Sequence, residues 1–193
     1  MSKHIKRIVF AFGVLFGAAL MMQGGYMQAK AWLAQYLISD AWQATLSGQH
    51  KVKPWFYADT YPVAKLRVPA LDVERYVLAE ANLRTLAFGP AFLAPDLQLS
   101  SLQSPLIAGH NDSHFAFLAA VQRGQILQVQ QPSGQWWQYK VTDLSVILAT
   151  DTAFLAQVQP SSTLYLATCY PFNSPVAGTT QRYLVTAQRM SDA

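Results

Sequence analysis

From residue 63 onward the sequence repeats short runs of alternating apolar and polar residues, separated by Gly and Pro, and this pattern constrains the fold most strongly. Alternation with a period of two places successive side chains on opposite faces of a β-strand. Many short strands separated by turn residues are typical of a closed or nearly closed antiparallel barrel. The runs occur at residues 63–68, 73–78, 106–108, 126–130, 136–148, 163–168 and 182–188.

Helical residues interrupt the strands in a few places. The sequence predicts short helices at 82–88 and 113–121, and one further turn at 151–156. The segment 47–62 contains Gly and Pro that end any preceding helix, so it reads as a linker. The sequence therefore predicts one mainly β domain at residues 63–190, which is a suitable length for a single hydrophobic core.

The amino terminus predicts a membrane anchor. Residues 1–7 form a basic tail, and residues 8–22 contain no charged or strongly polar side chain. A bilayer needs about 20 apolar residues, and the small or mildly polar residues up to Ala29 extend the span to 8–29. The basic tail is expected to stay in the cytoplasm, so the chain after Ala29 should face outward.

A cleaved signal peptide is the alternative, because Ala29-Lys30-Ala31 has the small-x-small form of a cleavage site. We favour an uncleaved anchor, followed by a juxtamembrane helix and linker at 30–62. Trp32, Tyr36 and Trp42 would then suit an interfacial aromatic belt on that helix.

Charge and cysteine content argue against several functions. The net charge is +4, but Lys3, Lys6 and Arg7 supply three of these charges, so the balance of the chain gives no support to nucleic-acid binding. A single cysteine cannot form an internal disulfide. The chain has ten acidic residues, and Asp151 is the only one in the segment 147–160. Because hard cations need several oxygen ligands, we expect no metal and no other cofactor.

Three residues in the β domain form a candidate catalytic site for acyl transfer through a thioester. Cys169 would be the nucleophile as its thiolate, and positive charge nearby raises the thiolate fraction of a cysteine. His110 could protonate a leaving amine and deprotonate the incoming nucleophile. Arg182 carries a permanent charge and forked donors that suit an oxyanion.

The segments around these residues resemble a known family. Leu164-Tyr165-Leu166-Ala167-Thr168-Cys169 resembles the Thr-Leu-x-Thr-Cys signature of sortases, the cysteine transpeptidases of bacterial surfaces. The likeness extends over roughly residues 60–190. Further segments that resemble the family are 68–73 for its early strands, 86–90 for its first helix and turn, 109–115 for its histidine segment and 182–187 for its arginine strand.

The resemblance implies a fold and a mechanism. It implies a sortase-like closed antiparallel β-barrel of about eight strands with short helices, preceded by an N-terminal transmembrane helix. In this interpretation Cys169 attacks the backbone carbonyl of a peptide, Arg182 holds the oxyanion and His110 transfers protons. Thr168 is a candidate substrate-binding residue, although a threonine in a strand is ordinary. Among the histidines, His110 has the family position and His114 would be a helix-start residue or a neighbouring contact.

The resemblance also implies partners. The short anchor and the Thr-Cys-Tyr-Pro-Phe segment are most similar to the compact sortases of Gram-negative bacteria. These features imply a single-pass protein of the cell inner membrane with its catalytic domain facing the periplasm. The substrate would be a protein with a C-terminal Leu-Pro-x-Thr-Gly-like (LPXTG-like) sorting signal, and the acceptor an amine of unknown identity. If water replaces that amine, the protein is a processing protease.

Two other classes are weighed against this interpretation. An L,D-transpeptidase would also use a thioester, but its His-Gly-Cys-x-Arg arrangement is absent because Tyr170 and Pro171 follow the cysteine. A non-enzymatic, membrane-tethered β-barrel could use Cys169 for packing alone, as many free cysteines do. That module would not require the His110 and Arg182 segments, and it predicts a thiol inert to alkylation.

Overall fold

A computed structural model describes residues 3–93, 105–151, 163–174 and 178–190. The chain divides into two compact units, residues 1–37 and residues 38–193. The first unit is helical, and the second contains the β domain.

Helix α1 runs from Lys3 to Leu46 without interruption. Within the first unit its large apolar side chains, such as Phe10, Leu15 and Met21, are exposed. Among the described residues this is the one helix long and apolar enough to cross a membrane. An exposed apolar helix surface of this kind is stable in lipid and costly in water.

The last turns of α1 belong to the second unit and pack on its sheet. Ile38 and Trp42 lie four residues apart on one helix face, and both side chains are fully buried. Trp42 Nε1 donates to Gln130 Oε1 at 3.3 Å, and the hydroxyls of Ser39 and Tyr76 are 2.8 Å apart. The prediction that Trp42 joins an interfacial aromatic belt is therefore wrong, because its indole is 0% exposed, unlike that of Trp32 at 76%.

Eight strands close into a barrel in the described part of the second unit, which confirms the predicted barrel. The barrel order is β1-β2-β3-β4-β7-β8-β6-β5, and β5 pairs back onto β1. The strands are β1 Pro62–Val68, β2 Val73–Leu78, β3 Ala91–Phe92, β4 Leu106–Ala108, β5 Ile126–Gln130, β6 Trp136–Leu148, β7 Thr163–Tyr170 and β8 Gln181–Arg189.

The barrel is mixed, whereas the sequence pattern predicted antiparallel strands. The pairs β2–β3 and β4–β7 are parallel, and the others are antiparallel. The chain leaves β4 and passes through β5 and β6 before it returns as β7, so a crossover connection separates the parallel partners. Strand β3 was not predicted, because two residues are too few to show a period.

Short helices connect the strands. Helix α2, Leu83–Leu86, begins at Asn82, whose Oδ1 accepts from the backbone N–H groups of Arg84 and Thr85. Two 3₁₀ helices span Pro69–Leu71 and Ala116–Ala120, the second within the predicted helical stretch 113–121. The turn predicted at 151–156 lies outside the described residues from 152 onward.

The two faces of strand β7 point into different environments. Leu164 and Leu166 face the barrel interior, where they pack with Val185 of β8 and other buried residues of the main core. Tyr165 faces outward and forms a smaller buried cluster with Leu106 and Leu184. By the same alternation Thr168 points inward and Cys169 outward, which sets the direction of the candidate nucleophile.

Candidate active site

Cys169 and Arg182 are direct partners on neighbouring strands. The antiparallel register of β7 and β8 pairs Thr168 with Tyr183 and Cys169 with Arg182. Residues directly opposite each other in an antiparallel pair project from the same face, with Cβ atoms about 4.5–5.5 Å apart. Both side chains are half-buried. The sheet therefore places Cys169 and Arg182 side by side on the outer face of the barrel.

His110 reaches the same region from the opposite side of β7. It is the second residue after β4, which runs parallel to β7 and pairs Ala108 with Ala167. The backbone N–H of Gly109 continues this pairing by donating to the carbonyl of Ala167 at 3.2 Å. The backbone of His110, just beyond the end of β4, therefore lies at the level of Cys169. In the strand order β4-β7-β8, the strand of Cys169 lies between β4, which leads to His110, and β8, which carries Arg182.

Two side chains tie the histidine segment to the cysteine segment. The hydroxyl of Thr168 donates to the carbonyl of Gly109 at 2.6 Å, and this threonine is buried. The Nδ2 group of Asn111 donates to the carbonyl of Pro171 at 3.1 Å. Sequence reasoning did not find the Asn111 contact, because its partner is 60 residues away and Asn-Asp-Ser also reads as an ordinary turn. Thr168 remains a predicted substrate contact, with its hydroxyl occupied by this bond.

A tight turn fixes the position of the His110 backbone. The backbone N–H of Phe115 donates to the carbonyl of His110 at 2.8 Å, and the Phe115 ring is buried in the main core. The ring lies directly against Gly109, since a Cβ added there would be 2.7 Å from Phe115 Cγ. A side chain at position 109 would have to displace the ring, so glycine suits this close approach of backbone to core.

The guanidinium of Arg182 is held by the turn that precedes its strand. Nη1 donates to the carbonyls of Thr179 at 2.6 Å and Gln181 at 2.8 Å. No carboxylate within the described ranges pairs with it, which argues against a simple surface salt bridge. A guanidinium has five N–H donors, so further donors remain for a ligand.

Aromatic rings support the strand end that follows Cys169. Tyr170 stacks on Tyr183 with ring centroids 6.1 Å apart, and Phe172 meets Tyr183 edge-on at 5.2 Å. Burial raises the pKa of Tyr183, and the neighbouring Tyr170 raises it further. The uncharged rings pack on the inner face of the sheet, on the side opposite Cys169.

His114 is the second histidine of the segment. Its Nε2 lies 3.3 Å from the carbonyl of Ala87, which follows α2. Burial lowers the pKa of His114, the Ala87 carbonyl opposes this, Arg75 and His110 lower it further and Asp112 raises it. His114 thus connects the histidine segment to the α2 region and favours the neutral form.

The lowered pKa of His114 predicts acid-dependent stability. At pH values below 6.5, the ordinary pKa of histidine, the unfolded chain binds a proton at His114 that the folded chain does not bind. The free energy of unfolding should therefore fall as the pH falls from that value to the pKa of His114 in the folded chain. One such proton contributes at most about 1.4 kcal/mol per pH unit. Between neutral and mildly acidic pH, the denaturation midpoint should drop more for the natural chain than for His114→Gln. Equal drops would contradict the assignment.

Within the described ranges, no three or more His, Cys, Asp and Glu side chains form a group that could hold a metal ion.

Comparison with known proteins identifies the family. A family model described as the sortase domain matches residues 66–190, which is well over half of the chain. The chain belongs to the sortase family. A search of curated proteins returned no match.

Solved sortases share the fold of this chain. Sortase C-1 from Actinomyces oris is 26% identical, with a TM-score of 0.58 over 68% of this chain and 74% of its own. Sortase A from Corynebacterium diphtheriae is 21% identical, with a TM-score of 0.61 over 83% and 85%. Sortase C from Clostridium perfringens, solved with the C-terminal cell wall sorting motif, is 14% identical, with a TM-score of 0.60 over 84% and 90%. The TM-scores show that these structures and this chain share the same fold.

Proposed function

We propose that this sortase is a membrane-anchored cysteine transpeptidase that cleaves a C-terminal LPXTG-like sorting signal and transfers the substrate to an amine. The observation that carries the proposal is the pairing of Cys169 with Arg182 across β7 and β8, beside the strand that leads to His110. This arrangement supplies a nucleophile, a permanent positive charge and a proton carrier at one place on the barrel.

In the first half-reaction the Cys169 thiolate attacks the carbonyl carbon of the scissile peptide bond. The carbonyl oxygen becomes negative in the tetrahedral intermediate, and free N–H groups of Arg182 stabilise it as charge-assisted donors. His110 gives a proton to the leaving amine, the C–N bond breaks, and a thioester to Cys169 remains. The outward direction of Cys169 is consistent with attack on a peptide that lies on the outer face.

In the second half-reaction His110 removes a proton from the incoming amine, which attacks the thioester and releases the cysteine. We assign Thr168 a positioning role, since its hydroxyl bond to Gly109 fixes the spacing between the segments of Cys169 and His110.

The short anchor and the Thr-Cys-Tyr-Pro-Phe segment support, in this proposal, a place among the compact sortases of Gram-negative bacteria. Residues 1–7 would remain in the cytoplasm, residues 8–29 would span the inner membrane, and residues 30–62 would lead to the catalytic domain at 63–190 in the periplasm. The basic residues before the apolar segment support this orientation.

The test is a peptide assay on the full chain in detergent micelles. A Leu-Pro-x-Thr-Gly peptide and an amine are added, and intact masses are followed beside Cys169→Ala. We expect an acyl adduct on the natural chain alone, and its transfer to the amine. Free acid as the main product in the presence of amine would instead indicate the processing protease.

Alkylation separates the ways in which this assay can fail. A folded chain whose Cys169 reacts with a small alkylating agent but forms no adduct would contradict the assigned sorting signal. A folded chain whose Cys169 resists alkylation would contradict thiol catalysis altogether and favour the binding module.

A further inference from the structure

The segment before β1 displays aromatic side chains to solvent. Residues 55–58, here called the aromatic turn, are closed by a hydrogen bond from the Ala58 N–H to the Trp55 carbonyl at 2.9 Å. Trp55 points inward and contacts Phe88, with ring centroids 5.0 Å apart. Phe56 and Tyr57 point outward and are 92% and 72% exposed. Adjacent exposed aromatic rings on a well-anchored turn are a sign of an interaction surface.

The surroundings of the aromatic turn are basic. Lys51 and Lys53 are exposed just before it. The acidic residue after it, Asp59, is paired with Arg84 of α2 at 3.2 Å, which offsets its charge. Next to Arg84, the side chain of Leu83 is 86% exposed and adds apolar area. The surface therefore combines apolar rings with two exposed lysines.

The aromatic turn also lies close in the chain to the proposed anchor. Trp55 packs in the same cluster as Ile38, the first residue of the second unit. Ile38 follows Ala29, where the predicted membrane span ends, by nine residues. Even a fully extended chain of this length reaches no more than about 30 Å. If residues 8–29 span a membrane, as proposed above, a tether of this length would hold the aromatic turn within reach of the lipid surface at high effective concentration.

We propose that the aromatic turn, together with Lys51 and Lys53, binds the anionic surface of the membrane that holds the anchor. Aromatic side chains favour the membrane–water interface, where an apolar ring meets polar headgroups. Lysines near the surface are attracted by anionic lipids. This contact would fix the orientation of the barrel above the bilayer, and it does not depend on the chemistry proposed at Cys169.

A fluorescence experiment on the full chain tests the contact. Phe56→Cys in a Cys169→Ala background is labelled with a polarity-sensitive dye and reconstituted in nanodiscs of phosphatidylcholine, with or without phosphatidylglycerol. The matched control is Ser133→Cys, an exposed position in the turn between β5 and β6. We expect a blue shift of the emission and quenching by nitroxide-labelled lipids for the label at 56 in anionic nanodiscs, and neither for the label at 133.

Charge variants and detergent samples complete the test. Lys51→Gln and Lys53→Gln should each weaken the contact about fivefold, and high salt should weaken it as well. No quenching of the label at 56 in either nanodisc would overturn the proposal. Equal quenching with and without phosphatidylglycerol would overturn its electrostatic part. A blue shift in detergent that grows with protein concentration would indicate a second copy of the chain as the partner and would also overturn it.

Discussion

Arg182→Ala is expected to slow formation of the acyl-enzyme by about 100-fold to 1000-fold, the usual loss when an oxyanion donor is removed. Arg182 occupies the strand position opposite Cys169, and the Thr179 and Gln181 carbonyls hold its Nη1 in place. These two bonds fix one end of the guanidinium before substrate arrives and leave its other N–H groups for donation to the oxyanion. Arg182→Lys should recover only part of the rate, because one ammonium cannot reproduce both the anchoring bonds and the donation.

The rate is measured as the growth of the acyl-enzyme mass in single-turnover reactions with the sorting-signal peptide. Arg123→Ala is the matched control, since Arg123 is an exposed arginine paired with Asp143, and its rate should stay near that of the natural chain. Circular dichroism verifies that each variant is folded. Acylation of Arg182→Ala at the natural rate would remove Arg182 from the mechanism, and an equal loss in Arg123→Ala would indicate a general effect of charge.

The barrel was predictable because most of its strands carry a local signal. Alternation of apolar and polar residues reveals a strand such as Trp136–Leu148 without knowledge of its partners. Strand β3 has two residues and therefore no period, and its existence depends on pairing with β2 and β4. The parallel pairing of β4 with β7 joins residues almost 60 positions apart. Long-range pairing of this kind leaves no mark on the local sequence.

The candidate site was also predictable only in part: its residue types could be read from the sequence, but their arrangement could not. Sequence motifs singled out Cys169, His110 and Arg182, because nucleophile, base and cation are recognisable by type. Their placement on adjacent strands follows from strand order, which only the folded barrel supplies. The hydrogen bond from Asn111 to the Pro171 carbonyl and the contact of the Phe115 ring with Gly109 are likewise visible only in the folded barrel.

Trp42→Ala is expected to lower the free energy of unfolding of the barrel unit by about 3–5 kcal/mol, the range for loss of a buried tryptophan. From sequence, Trp42 looks like Trp32, an aromatic residue beyond a membrane span. The structure separates them, because Trp42 is enclosed by the barrel unit and bonded to Gln130, which is 88 residues away. Trp42→Phe should keep most of the apolar contact and lose the hydrogen bond, at a cost of about 1 kcal/mol.

Denaturant unfolding of the full chain in mild detergent, followed by the β-sheet circular dichroism signal, measures these losses. Trp32→Ala is the control, since an exposed substitution usually changes stability by no more than about 0.5 kcal/mol. Equal, small losses for Trp42→Ala and Trp32→Ala would mean that the end of α1 is a passive tether. A large loss for Trp42→Ala alone would make the end of α1 from Ile38 onward part of the folded domain, because removing this end would expose the barrel surfaces that Ile38 and Trp42 cover.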